Sequence, residues 1–224
     1  MDLKRLNPEQ LKAVQHMDSP VLVFAGAGSG KTRVLTYKIA YLIESVGLPP
    51  EHILSVTFTN KAAQEMTQRV HSIVSADLSK LNIGTFHSIC AGILRKNIHH
   101  LGYENNFTIY DQKDAISVVK TVILNMNLDI KQFDPKYFYY LISSAKNQLL
   151  SYDNIDKLNA GYIDEKLSEI YKQYQIVLKE SNCLDFDDLL ILPLELFKVN
   201  NKILDYYRNQ FRYILIDEYQ DTNK

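Results

Sequence analysis

The sequence predicts an α/β fold in which helices cover a parallel sheet and an all-helical subdomain interrupts the chain. Four short apolar runs predict the strands, because strands that are buried on both faces show no polar alternation. Helical stretches separate the first three runs, which is the order of an open α/β sheet. A long stretch with helical spacing, residues 90–210, precedes the fourth run.

The predicted strands and their connecting helices follow in order along the first half of the chain. The four apolar runs are residues 21–24, 53–58, 81–86 and 213–216. Pro20 precedes the first run, and glycines follow this run. A helix is predicted over Lys31–Val46, which ends at Gly47 and two prolines, and another over Lys61–Val74. This alternation of apolar runs and helices predicts that the strands belong to the sheet of one domain.

The stretch between the third and fourth runs carries helix signals and no strong strand signal. Asp111 is a predicted helix cap, and Asp134 is another, with Pro135 at the first position of its helix. Further helices are predicted over residues 164–180, 185–197 and 201–211. We therefore expect two domains, which are residues 1–89 plus 211–224 and the inserted helical subdomain of residues 90–210.

The composition is that of an ordinary globular chain. The 224 residues hold 25 Lys and Arg against 26 Asp and Glu, so the formal net charge is −1. This balance argues against a disordered chain, and any nucleic-acid contact must come from a local groove instead of from bulk charge. Two cysteines predict a reducing, cytoplasmic setting. No apolar run approaches the roughly 18 residues that cross a bilayer, so no membrane partner is expected.

The strongest chemical signal is a phosphate-loop pattern between the first apolar run and a helix. It reads Ala25, Gly26, Ala27, Gly28, Ser29, Gly30, Lys31 and Thr32. Small residues let backbone N–H groups turn toward phosphate oxygens, the lysine reaches the β- and γ-phosphates, and the Thr32 hydroxyl binds Mg²⁺. Ala25 stands where the strict pattern has glycine. A glycine-rich turn without a ligand is the alternative, which Gly-Lys-Thr in this context disfavours.

A second chemical signal follows the fourth apolar run. Asp217 and Glu218 come directly after residues 213–216, and open α/β sheets bind ligands at the carboxyl ends of their strands. Asp217 is predicted to bind Mg²⁺, and Glu218 to orient the attacking water or accept its proton. An acidic pair alone is a weak signal. Together with the phosphate loop it predicts ATP hydrolysis.

Six motifs occur in order along the whole chain. They are residues 6–10, 25–33, 57–63, 84–88, 185–190 and 217–223. Together they resemble the UvrD/Rep/PcrA family of superfamily-one DNA helicases. The resemblance implies an incomplete RecA-like P-loop NTPase lobe with the inserted helical subdomain. It also implies an ATP-dependent 3′–5′ DNA helicase of DNA repair, with ATP and Mg²⁺ as cofactors and single-stranded DNA and its junction with duplex as partners.

The resemblance also gives roles to residues that flank the two nucleotide motifs. Gln10 is expected to read the adenine edge, because its amide both donates and accepts hydrogen bonds. Arg33 is expected near the base or sugar, and Gln220 is expected to sense the γ-phosphate and couple it to movement. Without the resemblance, each of the three is a surface residue of a helix or a strand end.

The resemblance places single-stranded DNA at the ends of the second and third strands. Phe58 offers a ring for base stacking. Phosphate and sugar contacts are expected from Asn60, Lys61, Thr85 and His87. A core position for Phe58 and a structural role for His87 remain the alternatives. The acids of residues 185–190 are expected to cap a helix and pair with a basic residue.

The resemblance further implies that relatives continue with a second RecA-like lobe, whose arginines reach the γ-phosphate. We therefore expect an N-terminal fragment that shows no robust DNA-stimulated ATP turnover by itself, with DNA-repair proteins as further partners. Three alternatives remain. They are the N-terminal part of a RecB/AddA-type helicase-nuclease, a non-enzymatic P-loop nucleotide switch, and a small-molecule kinase. The compact insert disfavours the first, the intact motifs disfavour the second, and the DNA motifs disfavour the third.

Overall fold

A computed structural model describes residues 1–26, 28–158 and 162–222. The chain divides into two compact units, which are residues 1–89 with 204–224 and residues 90–203. The first unit resumes at residue 204, which is seven residues before the expected position 211 and inside the last helix of the expected insert. The domain boundaries at 89/90 and 210/211 stay predictions.

The secondary structure of the described residues is mostly helical. The helices are α1 Pro8–Gln15, α2 Lys31–Glu44, α3 Asn60–His71, α4 Phe86–Asn97, α5 Gln112–Asn125, α6 Pro135–Asn147, α7 Tyr162–Glu180, α8 Phe186–Val199 and α9 Asn201–Gln210. The strands are β1 Ile53–Thr57, β2 Asn82–Thr85, β3 Thr108–Ile109, β4 Cys183–Leu184 and β5 Tyr213–Ile216. Short 3₁₀ turns are Leu3–Arg5, Pro50–His52, Ile98–Leu101, Tyr152–Leu158 and Tyr219–Asp221.

The first unit is built on a parallel sheet, which has three strands in the described part of the chain, in the order β2–β1–β5. Every residue of β1 is buried, as expected for the central strand of a covered sheet. Thr57 pairs with Thr85, and Val56 with Ile216. All three strands therefore end at the same edge. The apolar faces of α2 and α3 form the adjoining core, with Leu42 and Met66 fully buried.

The prediction of a strand at residues 21–24 is wrong. These residues are described, yet they belong to no strand, and Phe24 is 89% exposed. A strand that is apolar on both faces needs a hydrogen-bonded neighbour and a covering layer on each side. Among the described residues the sheet stops at β5, where Ile214 is 57% exposed. The apolar run is thus left without the partners that its composition requires.

The second unit is a helical bundle around a core that includes Val119, Ile142 and Leu178. The caps predicted at Asp111 and Asp134 are confirmed, since each carboxylate accepts a backbone N–H of the helix that follows it. The expectation of an all-helical subdomain is corrected by β3 and β4, which pair in parallel. Strands of two residues are too short to produce an alternating pattern. In the described ranges, no helix is long and apolar enough to span a bilayer.

Candidate functional site

The described part of the phosphate loop has the conformation that its glycines allow. Gly28 and Gly30 have φ angles of 76° and 88°, in the left-handed region that glycine enters without strain. The Ser29 hydroxyl donates to the Gly26 carbonyl oxygen at 2.7 Å. Gly30 directly precedes α2, so the positive end of the helix dipole lies at the loop. Ala27 lies outside the described residues.

Lys31 is the first residue of α2 and connects the loop to the acidic motif. Its Nζ donates to the Ala25 carbonyl oxygen at 3.2 Å and lies 4.0 Å from Glu218 Oε1. Thr32 follows it in a half-buried position, and Arg33 is exposed. The structure therefore brings the phosphate-loop lysine to the acidic pair, as a nucleotide site requires.

Asp217 and Glu218 leave β5 in a tight turn. The backbone N–H of Asp217 donates to the Val56 carbonyl oxygen at 3.0 Å, and this aspartate is 8% exposed. Burial, followed by the neighbouring Glu218, raises the pKa of Asp217. Glu218 has a φ of 51°, which is uncommon for a residue other than glycine. It accepts a hydrogen bond from Gln220 Nε2 at 2.6 Å.

Gln10 contacts the phosphate loop. Its Nε2 donates to the Ser29 carbonyl oxygen at 2.9 Å, and its Oε1 accepts from the Asn7 N–H at 3.1 Å. Asn7 accepts the Gln10 N–H in return, so the pair forms a capping box at the start of α1. A Cβ atom on Gly30 would lie 2.9 Å from Gln10 Nε2 and would displace this flexible side chain, while the φ of 88° independently favours glycine at this position. Arg33, in contrast, is exposed and forms no hydrogen bond with the described residues of the loop.

The oxygen donors of this site fit a magnesium ion. Mg²⁺ prefers carboxylate and hydroxyl oxygens, which Asp217 and Thr32 provide. The pKa of Asp217 is raised because the carboxylate is buried and lies beside that of Glu218. Both causes disfavour a negative charge that no cation compensates. A divalent cation would supply the missing positive charge.

The predicted DNA residues of the motif at residues 57–63 lie where β1 ends. Phe58 is 40% exposed, and its ring centroid lies 5.4 Å from that of Phe86, which follows β2. Thr59 caps α3, so Asn60 and Lys61 stand exposed in its first turn. Phe86 was not among the predicted DNA residues, although its place directly after a strand of the parallel sheet was a signal for the contact with Phe58.

Thr85 and His87 lie at the neighbouring strand end. Thr85 is buried, and its hydroxyl accepts the Ser88 N–H at 3.2 Å. Ser88 approaches so closely that a Cβ on Gly84 would lie 2.5 Å from its Oγ. His87 is half-buried. The Thr85 hydroxyl is thus engaged within the turn, while Phe58, Asn60 and Lys61 are the more accessible members of the predicted set.

The acids of residues 185–190 form a buried ionic cluster in the second unit. Lys146 Nζ lies 2.7 Å from a carboxylate oxygen of Asp185 and of Asp188. Tyr174 donates its hydroxyl to Asp185 at 2.7 Å, and Asp185 caps α8. The expected structural role of this motif, as a helix cap and a partner of a basic residue, is confirmed.

A parallel sheet whose final strand leads into an acidic pair, within reach of a Gly-Lys-Thr loop that opens a helix, defines the class of P-loop nucleotide-binding proteins. The family within that class follows from comparison with known sequences. The family model for the UvrD/REP helicase N-terminal domain matches residues 6–224, and the chain belongs to this family. The resemblance inferred from the six motifs is confirmed.

Several bacterial helicases are similar to the chain over almost all of its length. The ATP-dependent DNA helicase PcrA of Bacillus subtilis is 47% identical over 222 residues, which are 99% of this chain. The proteins of the same name from Staphylococcus aureus and Staphylococcus epidermidis are each 45% identical over 222 residues. The chain spans 30% of the length of these curated relatives.

Proposed function

We propose that the chain is the ATP- and single-stranded-DNA-binding part of an ATP-dependent 3′–5′ DNA helicase. The observation that carries the proposal is the approach of Lys31 to Glu218 at 4.0 Å. These residues come from opposite ends of the chain, and each belongs to a motif whose chemistry is ATP hydrolysis. The family membership and the names of the relatives support the same activity.

The nucleotide roles follow from the contacts around the loop. Lys31 binds the β- and γ-phosphates, together with backbone N–H groups of residues 25–30. Thr32 and Asp217 hold Mg²⁺, which neutralises charge on the phosphates when it is bound. Glu218 orients the attacking water. Gln220 responds to the γ-phosphate, and its hydrogen bond to Glu218 supports this role.

The base is recognised at the other side of the loop. Gln10 lies against Ser29 and keeps a second N–H and a second lone pair for the adenine edge. Arg33 lies exposed one residue after Thr32, within a helical turn of Gly30, and contacts the base or the sugar. Gln10 therefore joins base recognition to the conformation of the phosphate loop.

Single-stranded DNA binds at the carboxyl edge of the sheet. Phe58 stacks on a base, and Asn60 and Lys61 contact the phosphates at the exposed start of α3. Thr85 and His87 line the next strand end. Asp217 is hydrogen-bonded to Val56, two residues before Phe58, so ATP chemistry and DNA contacts share one sheet edge. This edge couples ATP hydrolysis to translocation toward a junction with duplex DNA.

The cellular setting follows from the activity. A protein that needs ATP and DNA works in the cytoplasm of a bacterium such as those of its relatives, and DNA-repair proteins are its partners. A second RecA-like lobe completes the ATP site. Among the described residues, no specific contact favours the helicase-nuclease, the nucleotide switch or the small-molecule kinase.

Calorimetric titration of MgATP into the chain tests the proposal, with Lys31→Ala as the variant and Lys120→Ala, an exposed lysine of α5, as the matched control. We expect the wild type and the control to bind ATP equally, and the affinity of Lys31→Ala to fall by at least about tenfold. A salt series with oligo(dT) tests the DNA contacts, because phosphate contacts make binding steeply salt-dependent. Equal ATP affinity in all three proteins would contradict the proposal, as would salt-independent DNA binding.

A further inference from the structure

Lys38 is a buried lysine in the third turn of α2, close to the end of α1. It is 6% exposed. Its Nζ donates to the carbonyl oxygen of Val14 at 3.0 Å, to that of His16, and to Met17 Sδ at 3.4 Å. All three proton positions of the ammonium group are therefore directed at the carboxyl end of α1 and the residues just after it.

No carboxylate of the described residues forms an ion pair with Lys38, and burial lowers its pKa. A buried cation without a carboxylate needs other negative groups. The last carbonyls of α1 provide them, because a helix carries partial negative charge at its carboxyl end. The rings of Tyr41 and Tyr213 lie with their centroids 6.0 Å from the Nζ and add weak cation–π attraction.

These contacts tie α1 to α2 at a second point. The first point is the hydrogen bond from Gln10 Nε2 to the Ser29 carbonyl oxygen, at the amino end of both helices. Between the two points, Val14, Val34 and Tyr37 pack in one apolar cluster. Apolar packing alone lets a short helix slide or rotate, whereas directed hydrogen bonds at both ends fix its position along and about its axis.

We propose that Lys38 is a positioning residue for base recognition, which holds α1 so that Gln10 stays against the phosphate loop. This inference rests on the proposed function, because it takes Gln10 as the residue that reads the base. Among the described residues, the contacts of Lys38 include neither the loop nor the groups proposed to bind phosphate. Its removal therefore weakens ligands that have a base and spares ligands that have only phosphates.

Calorimetry on the 224-residue chain separates these two effects. The variants are Lys38→Met, Lys38→Arg, Gln10→Ala and Lys38→Met with Gln10→Ala, and the ligands are MgATP and magnesium tripolyphosphate. We expect Lys38→Met to bind ATP about three- to tenfold more weakly, which is the effect of losing one well-placed hydrogen bond. Its affinity for tripolyphosphate is expected to be unchanged. Lys38→Arg restores ATP affinity, because a guanidinium also donates to several carbonyls.

The double variant shows whether Lys38 acts through Gln10. We expect it to bind ATP no more weakly than Gln10→Ala alone, since residues that act through one contact are not additive. Additive losses would overturn the inference, as would an equal loss for both ligands or full ATP affinity in Lys38→Met. Lys120→Met makes the same chemical change on an exposed helix and is expected to leave both affinities unchanged.

A second measurement keeps failure of the inference distinct from failure of the proposed function. If the wild type binds no ATP, the proposed function fails, and amide hydrogen exchange decides the role of Lys38. Faster exchange in α1 of Lys38→Met supports the positioning role, and unchanged exchange in α1 overturns it. If Lys38→Met does not fold, Lys38→Gln, which keeps a donor for one carbonyl, takes its place in both experiments.

Discussion

Lys31 Nζ lies 4.0 Å from Glu218 Oε1, so the two ends of the chain contribute opposite charges to one site. Lys31 also donates to the Ala25 carbonyl oxygen, and Glu218 accepts from Gln220 Nε2. The loop, the lysine, the glutamate and the glutamine therefore form one connected series of polar contacts. A charge change at Glu218 acts on the lysine that is proposed to bind phosphate.

Glu218→Gln is expected to tighten MgATP binding by about two- to fivefold, the size of an exposed ion-pair effect. The carboxylate competes with phosphate for Lys31 and repels the triphosphate, and the amide does neither. Calorimetry at low and high salt checks this, because the gain shrinks as salt screens the charges. Glu65→Gln, an exposed glutamate of α3, is the control. Weaker binding by Glu218→Gln would contradict the prediction.

The raised pKa of Asp217 predicts how Mg²⁺ dependence changes with pH. Mg²⁺ binds the ionised carboxylate, and a raised pKa means that protonation begins at a higher pH than for an ordinary aspartate. The gain in ATP affinity due to Mg²⁺ is therefore present at neutral pH and lost as the pH falls through the raised pKa.

Titrations with and without Mg²⁺ between about pH 7.5 and pH 5 measure that gain. Asp217→Asn is expected to have a smaller gain at every pH, and any pH dependence that it keeps belongs to ATP. A wild-type gain that follows the variant's pH dependence would show that Asp217 does not hold the ion.

Phe58→Ala is expected to weaken single-stranded DNA binding by roughly 1–3 kcal/mol per stacked base, with little change in salt dependence. Lys61→Ala, in contrast, is expected to flatten the salt dependence by about one phosphate contact. Fluorescence anisotropy with oligo(dT) at several salt concentrations distinguishes the two. Tyr137→Ala removes an exposed aromatic ring from α6 in the second unit and serves as the control. The stacking role is wrong if Phe58→Ala and Tyr137→Ala have the same small effect.

Local signals in the sequence predicted most elements. β5 has the predicted bounds, and Asp111, Asp134 and Asp185 begin helices as predicted, because a capping side chain acts on N–H groups two or three residues away. The prediction of a strand at residues 21–24 was wrong because such a strand does not depend on local signals alone. A doubly apolar strand depends on neighbours that are distant in sequence, and its own residues do not reveal whether they are present.

The candidate site shows the same division. The phosphate-loop pattern predicted Lys31, the acidic pair after a strand predicted Asp217, and the family resemblance implied Gln10. In the structure Lys31 and Gln10 contact the loop, and Asp217 precedes Glu218, which approaches Lys31. Lys38 was missed because a lysine inside an amphipathic helix looks like an ordinary exposed residue. Only the packing of α1 against α2 shows that its ammonium group is buried among carbonyl oxygens. Phe86 was missed although it follows a predicted strand, because the sequence does not show that β2 lies beside β1 and so brings Phe86 to Phe58.

In the ionic cluster of the second unit, Lys146 pairs with two buried aspartates, Asp185 and Asp188. Burial raises the pKa of Asp188 to about 6, although Lys146 opposes the rise. For Asp185 burial acts in the same direction, but the contact with Lys146 prevails and its pKa is lowered. Lys146 is therefore the group that keeps both carboxylates ionised at neutral pH.

Lys146→Met is expected to reduce the free energy of unfolding by about 3–5 kcal/mol, because it leaves two buried carboxylates without a cation. Both aspartates then have folded-state pKa values above the unfolded ones, so the variant recovers stability at low pH and loses it as the pH rises through those values. Urea unfolding at about pH 5 and pH 8 measures the free energy of unfolding of both proteins. The difference between the wild type and Lys146→Met should be smaller at about pH 5 than at about pH 8. Adding Asp185→Asn and Asp188→Asn should remove this pH dependence, and an equal difference at both pH values would show that Lys146 does not control these ionisations.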